Sequence, residues 1–253
     1  MADEIEWMRL TAEELRARAT QGALAILPVA STEQHGPHLA TGVDVFLGGE
    51  GCRRAALLVA KERRVVVAPT VWMGLAEHHV AYGGTMTVSL STYHALLRDL
   101  CDAILRAGFK HILIVNSHGG NIAALAALTV DLTRELKAPI ATTALYALPH
   151  AAGAYKAVLE DQEGVRHACE AETSMMLAVA PDCVRNDRIG EAVGPMTPSP
   201  TANALLVWRS FKDVSPSGVM GDARRASAVK GEKLLDIAAE LLAEKLTAGE
   251  PWG

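Results

Sequence analysis

The sequence predicts an α/β fold: a three-layer α/β/α single domain over residues 1–253 with a mostly parallel sheet. Three observations predict it. Short, nearly unbroken apolar runs alternate with longer segments that read as helices, the pattern of successive right-handed βαβ units. Half of the residues are apolar but only 4% are aromatic, so Ala, Val and Leu do most of the filling, as in packed helix and parallel-strand layers. At 253 residues the chain suits one large domain better than two small ones, and it is long enough to bury a substantial core.

Thr11 and Glu14 have the T-x-x-E form of a capping box, so a short helix is expected after them. Gly22 to Ala30 is almost wholly apolar and is followed by turn-prone Ser31 and Thr32, as expected of a strand buried on both faces. Beyond a loop rich in Gly and Pro, Leu47 to Arg64 reads as a helix, and VVVAP, ending at Pro69, as a second buried strand. Ser91 to Arg106 is a helix closed by Gly108, where a left-handed cap costs glycine little. Ile112 to Val115 is the third strand, turned by Gly119 and Gly120 into a helix from Asn121 to Lys137. PIATTALYAL, ending before His150, is the fourth strand candidate, and residues 151–165 are less regular. Glu170 to Val179 reads as a helix closed at Pro181. From Gly190 to Ser217 a surface excursion rich in Pro and Gly is expected, with one strand-like piece, Leu205 to Trp208. Ala223 to Leu246 is an amphipathic helix.

A formal charge of −5 and a pI near 6.0 give no electrostatic reason to expect nucleic acid or an anionic membrane as partner, so the ligand is expected to be a small molecule. Cys52, Cys101, Cys169 and Cys183 form no CxxC pair and read as reduced thiols of a cytoplasmic protein. The segment MADEIEW lacks the basic and apolar blocks of a signal peptide, and no apolar run approaches the ~18 residues of a membrane span.

In a parallel sheet, ligands bind at the carboxyl ends of the strands. Three polar groups follow those ends: Glu33, His35 and Asp44; His118; and His167, Glu170 and Glu172. In an extended stretch, residues two apart share a face, so Glu33 and His35 point into one pocket with Gln34 turned away. Gly36 and Gly42 allow a loop tight enough to return Asp44 to the same place. Imidazoles and carboxylates without thiolate suit Zn²⁺ or Mn²⁺, and an Asp can give one oxygen to each of two cations. Composition and spacing alone leave a plain polar pocket and a metal site equally open.

Four motifs narrow this: STEQHGPHLATGVD, EHHVAYGGTMTVS, NSHGGN and HACEAETS, with VSPSGVMGD near the C-terminus. In this order they resemble the creatininase family of metal-dependent amidohydrolases. The resemblance implies a three-layer α/β domain, a homohexamer and two divalent metal ions, Zn²⁺ and/or Mn²⁺. It implies that Glu33 and His118 bind one metal, His35 and Glu172 the other, and that Asp44 bridges both, with His167 as proton shuttle. Glu170 is implied as a substrate-side or supporting partner, against its plainer reading as a helix-start carboxylate. His78, in the matching E-H pair before the Gly-Gly-Thr turn, is implied near substrate, as is Gly119. Asn121 and Ser117 either orient His118 or cap its helix. His38, His79, His94, His111 and His150 receive no role.

Two departures bear on substrate. Creatininase itself has a Tyr and a further Glu ligand where this chain has Gly119 and Gly120, so a carboxylate is missing and the smaller residues are expected to open the pocket. The tryptophans that creatininase sets around its substrate ring are not evident between Tyr146 and His167. The reading is therefore hydrolysis of a non-peptide C–N bond (amide, cyclic amide or formamide) in a small molecule by a hydroxide held between two metals. The alternatives are C–C ring opening of a cyclic ketone, trimming of a peptide end, or a metal-binding scaffold without turnover. For assembly, residues near Ala204 to Val207 are expected to pack against a neighbour.

Overall fold

A computed structural model describes residues 4–196 and 207–252. In chain order the helices are α1 (Ala12–Thr20), α2 (Val43–Val59), α3 (Leu90–Arg106), α4 (Ile122–Leu136), α5 (Ala147–Ala151), α6 (Glu170–Val179), α7 (Phe211–Val214) and α8 (Ala228–Thr247). The strands are β1 (Leu24–Val29), β2 (Val65–Val67), β3 (Ile112–Asn116) and β4 (Ile140–Ala144), in the sheet order β2-β1-β3-β4. Every neighbouring pair is parallel.

Alternation along the strands builds the layers. Ala25, Leu27, Val29, Ile112 and Ile114 face one side, where they pack with Leu97 and Ile104 of α3 and Leu125 and Leu132 of α4. Leu24, Ile26, Leu113 and Val115 face the other, against Cys52 and Ala56 of α2 and Ala239 and Leu242 of α8. Burying each such Leu, Ile or Val removes it from water for about 1.5–3 kcal/mol, and all of β1 and β3 is buried. Both sheet faces are thus covered, which is why these strands read as continuous apolar runs. α6 lies outside, packed on α8 and α2 through Met175, Leu234, Leu235 and Leu47. Gly231 of α8 permits that approach: a Cβ there would lie 1.9 Å from the Ser174 carbonyl oxygen.

The boundaries show where local pattern yields to context. The Thr11–Glu14 capping box forms as expected, with reciprocal hydrogen bonds. α2 begins at Val43 rather than Leu47, because Val43 and Leu47, four residues apart, share the buried face. Asp44 therefore sits in the first turn of a helix, not in a loop. β4 stops at Ala144, opposite Asn116, where β3 ends and no partner remains to pair with; residues 147–151 coil into α5 instead of extending the strand. α8 starts at Ala228, capped by the Ser227 hydroxyl accepting from the Lys230 amide, five residues later than its amphipathic pattern implied. The short α7 falls inside the Gly190 to Ser217 stretch expected as a surface excursion. Leu205 and most of the proposed packing segment lie outside the described residues; Val207 and Trp208 are exposed and belong to no strand. Among the described residues no helix is long and apolar enough to cross a membrane.

Candidate metal centre

Five side chains converge where β1 and β3 end and α2 and α6 begin: Glu33, His35, Asp44, His118 and Glu172, all buried. Asp44 lies at their centre. Its Oδ1 is 3.5 Å from His35 Nε2, and its Oδ2 is 3.1 Å from His118 Nδ1. On the His118 side, Nδ1 is also 3.1 Å from Glu33 Oε2; on the other, His35 Nε2 is 3.7 Å from Glu172 Oε2. Asp44 and Glu172 both occupy first helical turns, where the positive end of the helix favours a carboxylate.

A surrounding set of hydrogen bonds aims the two imidazoles. His35 Nδ1 donates to the Glu33 carbonyl at 3.1 Å, and His118 Nε2 donates to the Leu75 carbonyl at 3.2 Å. In each ring this turns the other nitrogen toward the carboxylates, the arrangement that orients imidazole ligands. Asn121 holds Leu75 in place by accepting from its amide at 2.9 Å, so it acts on His118 through Leu75 and does not cap α4. Ser117 donates to the Asp44 carbonyl at 2.8 Å and ties the end of β3 to the start of α2. At the fifth side chain, Glu172 Oε2 accepts from the Ala168 amide at 2.5 Å, across a turn in which Ala168 takes a left-handed φ of 53°.

Like charges a few ångströms apart in a buried site repel by several kcal/mol, and here protons absorb that strain. Burial opposes charge on His35, but Asp44, then Glu172 and Glu33, raise it to about 9. Burial likewise opposes ionisation of Asp44, which His118 and His35 nevertheless hold at about 2. Burial, reinforced by Asp44 and Glu33 against the pull of His35, lifts Glu172 to about 8. Glu33 Oε2, His35 Nε2 and Asp44 Oδ2 are buried with no hydrogen-bond partner, and ligand atoms of these three residues fall within 4.8 Å of one another. Unpartnered buried atoms of this kind, on carboxylates and imidazoles without thiolate, fit divalent Zn²⁺ or Mn²⁺ once the imidazoles release their protons.

A second cluster adjoins the first. His167 Nδ1 lies 3.6 Å from Glu33 Oε1, and His79 Nε2 lies 3.4 Å from the same oxygen. The His79 and His167 rings stack with centroids 4.4 Å apart, and Phe211 covers both. Burial first, then His35 and His79, depresses His167 well below the ordinary histidine value; burial, then His78, His35 and His118, takes His79 to about 2. Gln34 reaches into this cluster rather than turning away, its Nε2 lying 2.9 Å from both His79 Nδ1 and His167 Nε2. The sequence reading passed over His79 and Gln34. The His78–His79 doublet was the available signal, but only the fold reveals that His79 is the member touching Glu33.

The remaining candidates separate. His78 stacks on His118 with centroids 5.8 Å apart and lines a cavity of about 480 Å³ with Thr87, Ser89 and Trp208. A cavity of similar size opens beside Gln34 and His35; both volumes suit a small ligand. Gly119 is open, with nothing within 4 Å of a notional Cβ. At Gly120 the expected opening is absent, because a Cβ would lie 2.3 Å from the Leu75 oxygen, 2.4 Å from His118 Nε2 and 2.9 Å from His78 Cε1. The Glu170 carboxylate is taken up by Lys230 Nζ at 2.5 Å and the Glu160 amide at 3.2 Å, tying α6 to α8.

The sequence profile of the family described as Creatininase, creatinine amidohydrolase, matches residues 8–246. The chain belongs to the creatininase family. It is 30% identical over 232 residues to the mycofactocin precursor peptide peptidase of Mycolicibacterium smegmatis, spanning 90% of this chain and 86% of that protein. It is 28% identical over 254 residues to the creatinine amidohydrolase of Pseudomonas putida, spanning 94% of each. A 3-dehydro-scyllo-inosose hydrolase of Thermotoga maritima shares 33% identity over 116 residues, 46% of this chain and 36% of that protein. The fold agrees: a crystal structure of creatinine amidohydrolase superposes with a TM-score of 0.82 at 23% identity, covering 98% of this chain and 99% of that one. These relatives place the chain among creatininase-family hydrolases.

Proposed function

We propose that the chain works as one catalytic domain, a metal-dependent hydrolase that cleaves a C–N bond (amide, cyclic amide or formamide) of a small non-peptide molecule. Two divalent cations, Zn²⁺ and/or Mn²⁺, would be held by Glu33 with His118 and by His35 with Glu172, with Asp44 common to both. The observation that carries this reading is the position of Asp44, whose two oxygens face two different imidazole–carboxylate pairs. When bound, such cations would supply a more acidic water and polarisation of a substrate carbonyl.

The protein's own groups supply the rest. His167, kept neutral by burial, is suited to accept a proton at Nδ1 and to hand it to the departing nitrogen. His78 and the open face at Gly119 border the substrate, and Glu170 supports the start of α6 that carries Glu172. The working form proposed is a cytoplasmic homohexamer acting on a small molecule, without nucleic acid or membrane partners.

Peptide trimming is the second reading, favoured by the 30% identity to a peptide peptidase. Ring opening of a cyclic ketone, favoured by the partial match to an inosose hydrolase, uses the same residues. An assay of zinc- or manganese-loaded protein against amides, lactams, formamides, short peptides and cyclic ketones separates the three. Amine or ammonia release from a non-peptide amide is the expected result; turnover of peptides or of ketones alone overturns the leading reading in favour of its rival.

A further inference from the structure

We propose that Gln34, supported by His79, is a positioning residue that sets the tautomer of His167, keeping the ring proton on Nε2 and the Nδ1 lone pair turned toward Glu33; this rests on the hydrolase reading above. Two groups of Gln34 compete for one nitrogen of the ring. Its carbonyl oxygen lies 2.9 Å from His167 Nε2, and its side-chain Nε2 lies 2.9 Å from the same nitrogen. The orientation of the side-chain amide is fixed, because Oε1 accepts from the Gly36 amide at 2.9 Å, so the NH₂ group faces the imidazoles.

Two tautomers compete for these contacts. With the proton on Nε2, His167 donates to the Gln34 carbonyl, and the two amide protons of Gln34 go to His79 Nδ1 at 2.9 Å and the Gly218 carbonyl at 3.3 Å. His79 then carries its own proton on Nε2, facing Glu33 Oε1 at 3.4 Å. With the proton on Nδ1, a bare Nε2 would sit 2.9 Å from a carbonyl oxygen and repel it, and Gly218 would lose its donor. The Nδ1 proton would meanwhile reach Glu33 only at 3.6 Å, beyond hydrogen-bond distance. The first arrangement forms three hydrogen bonds and leaves one mismatch, the Gln34 amide and the His167 Nε2–H side by side as donors at 2.9 Å; the second keeps the bond from the Gln34 amide to His167 Nε2 but leaves the Gln34 and Gly218 carbonyls both unmatched. Each buried mismatch costs about 1–3 kcal/mol, so the Nε2–H form prevails.

The packing around Gln34 leaves it no other pose. A Cβ at Gly218 would fall 2.1 Å from Gln34 Oε1, and His79 is locked by its stack on His167 and by Phe211. The consequence is chemical. A bare Nδ1 facing a carboxylate oxygen at 3.6 Å calls for a proton donor or a cation between them, and a lone pair in that place can take the proton of an attacking water.

The test is long-range ¹H–¹⁵N correlation NMR on protein carrying ¹⁵N-histidine, metal-free and after addition of Zn²⁺, with His167→Gln used to assign the signal. The expected wild-type pattern for His167 is the Nε2–H tautomer. In Gln34→Met and in His79→Phe, which keeps the ring stack but loses the nitrogens, that pattern should shift toward an average of the two tautomers while zinc content stays the same. An Nδ1–H pattern in the wild type, or an unshifted pattern in both variants, overturns the proposal. If Gln34→Met fails to fold, His79→Phe decides alone. A wild-type protein that takes up no zinc counts against the metal reading, and the metal-free spectrum still decides the tautomer.

Discussion

The two halves of the site are built differently. In the proposed ligand half, each group follows a central strand or stands in the first turn of a helix: Glu33 and His35 in the loop after β1, His118 two residues past β3, Asp44 on α2 and Glu172 on α6. In the imidazole half, His79 sits in a 3₁₀ turn, His167 in a loop, and both lie under Phe211 of the four-residue α7. Layered packing can fix groups that must share a cation; groups that move a proton need each other's hydrogen bonds. Glu33 joins the halves, one oxygen 3.1 Å from His118 and the other facing His79 and His167.

Breaking that joint should have the largest effect. Glu33→Ala removes a ligand and the partner of two imidazoles together, and kcat/KM should fall roughly 10³-fold or more, about 4 kcal/mol of transition-state stabilisation, with metal content reduced. His167→Gln removes a group of the imidazole half that meets the ligand half through Glu33 and its ring contact with His35: metal content should hold while kcat falls about 10²–10⁴-fold. A His167→Gln protein that loses its metals would erase the distinction between the halves.

Acidity sharpens the comparison from the ligand side. With His35 raised to about 9 and Glu172 to about 8, both hold protons at pH 7 in the metal-free fold, and entering cations must displace them. Zinc affinity should therefore rise with pH toward 9, roughly tenfold per pH unit for each proton released. Titration calorimetry in buffers of different ionisation enthalpy measures that release. The raised His35 also stabilises the metal-free fold, a contribution fully present below 6.5 and lost as pH rises through about 9. Gly120→Ala should act most locally: its Cβ intrudes on the His118–Leu75 hydrogen bond, and loss of such a ligand-orienting contact weakens metal binding about 10–100-fold. One cation should loosen while the other stays, as metal titration would show.

Much of this was legible in the sequence because burial on both faces leaves the two central strands almost wholly apolar, so Leu24–Val29 and residues 112–115 announce themselves. The ends were less legible. β4 stops because its partner stops, and α2 starts at a Gly42 that offers no capping side chain, so neither boundary has a local marker. Within the site, alternation correctly paired Glu33 with His35. It misjudged Gln34 because the far side of that segment is not solvent but a second wall, made by the distant turn at His79 and the loop at His167. The doublet shows the same limit: the sequence singled out His78, which lines the cavity of about 480 Å³, but could not show that His79 reaches Glu33, because the turn that carries a doublet decides which member faces which wall.

The central claim is that Asp44 is shared by two cations, and elemental analysis of metal-loaded protein against Asp44→Ala tests it most directly. The account predicts close to two Zn²⁺ or Mn²⁺ per wild-type chain and fewer than one in the variant. Two metals retained after Asp44→Ala, with hydrolysis undiminished, would contradict it.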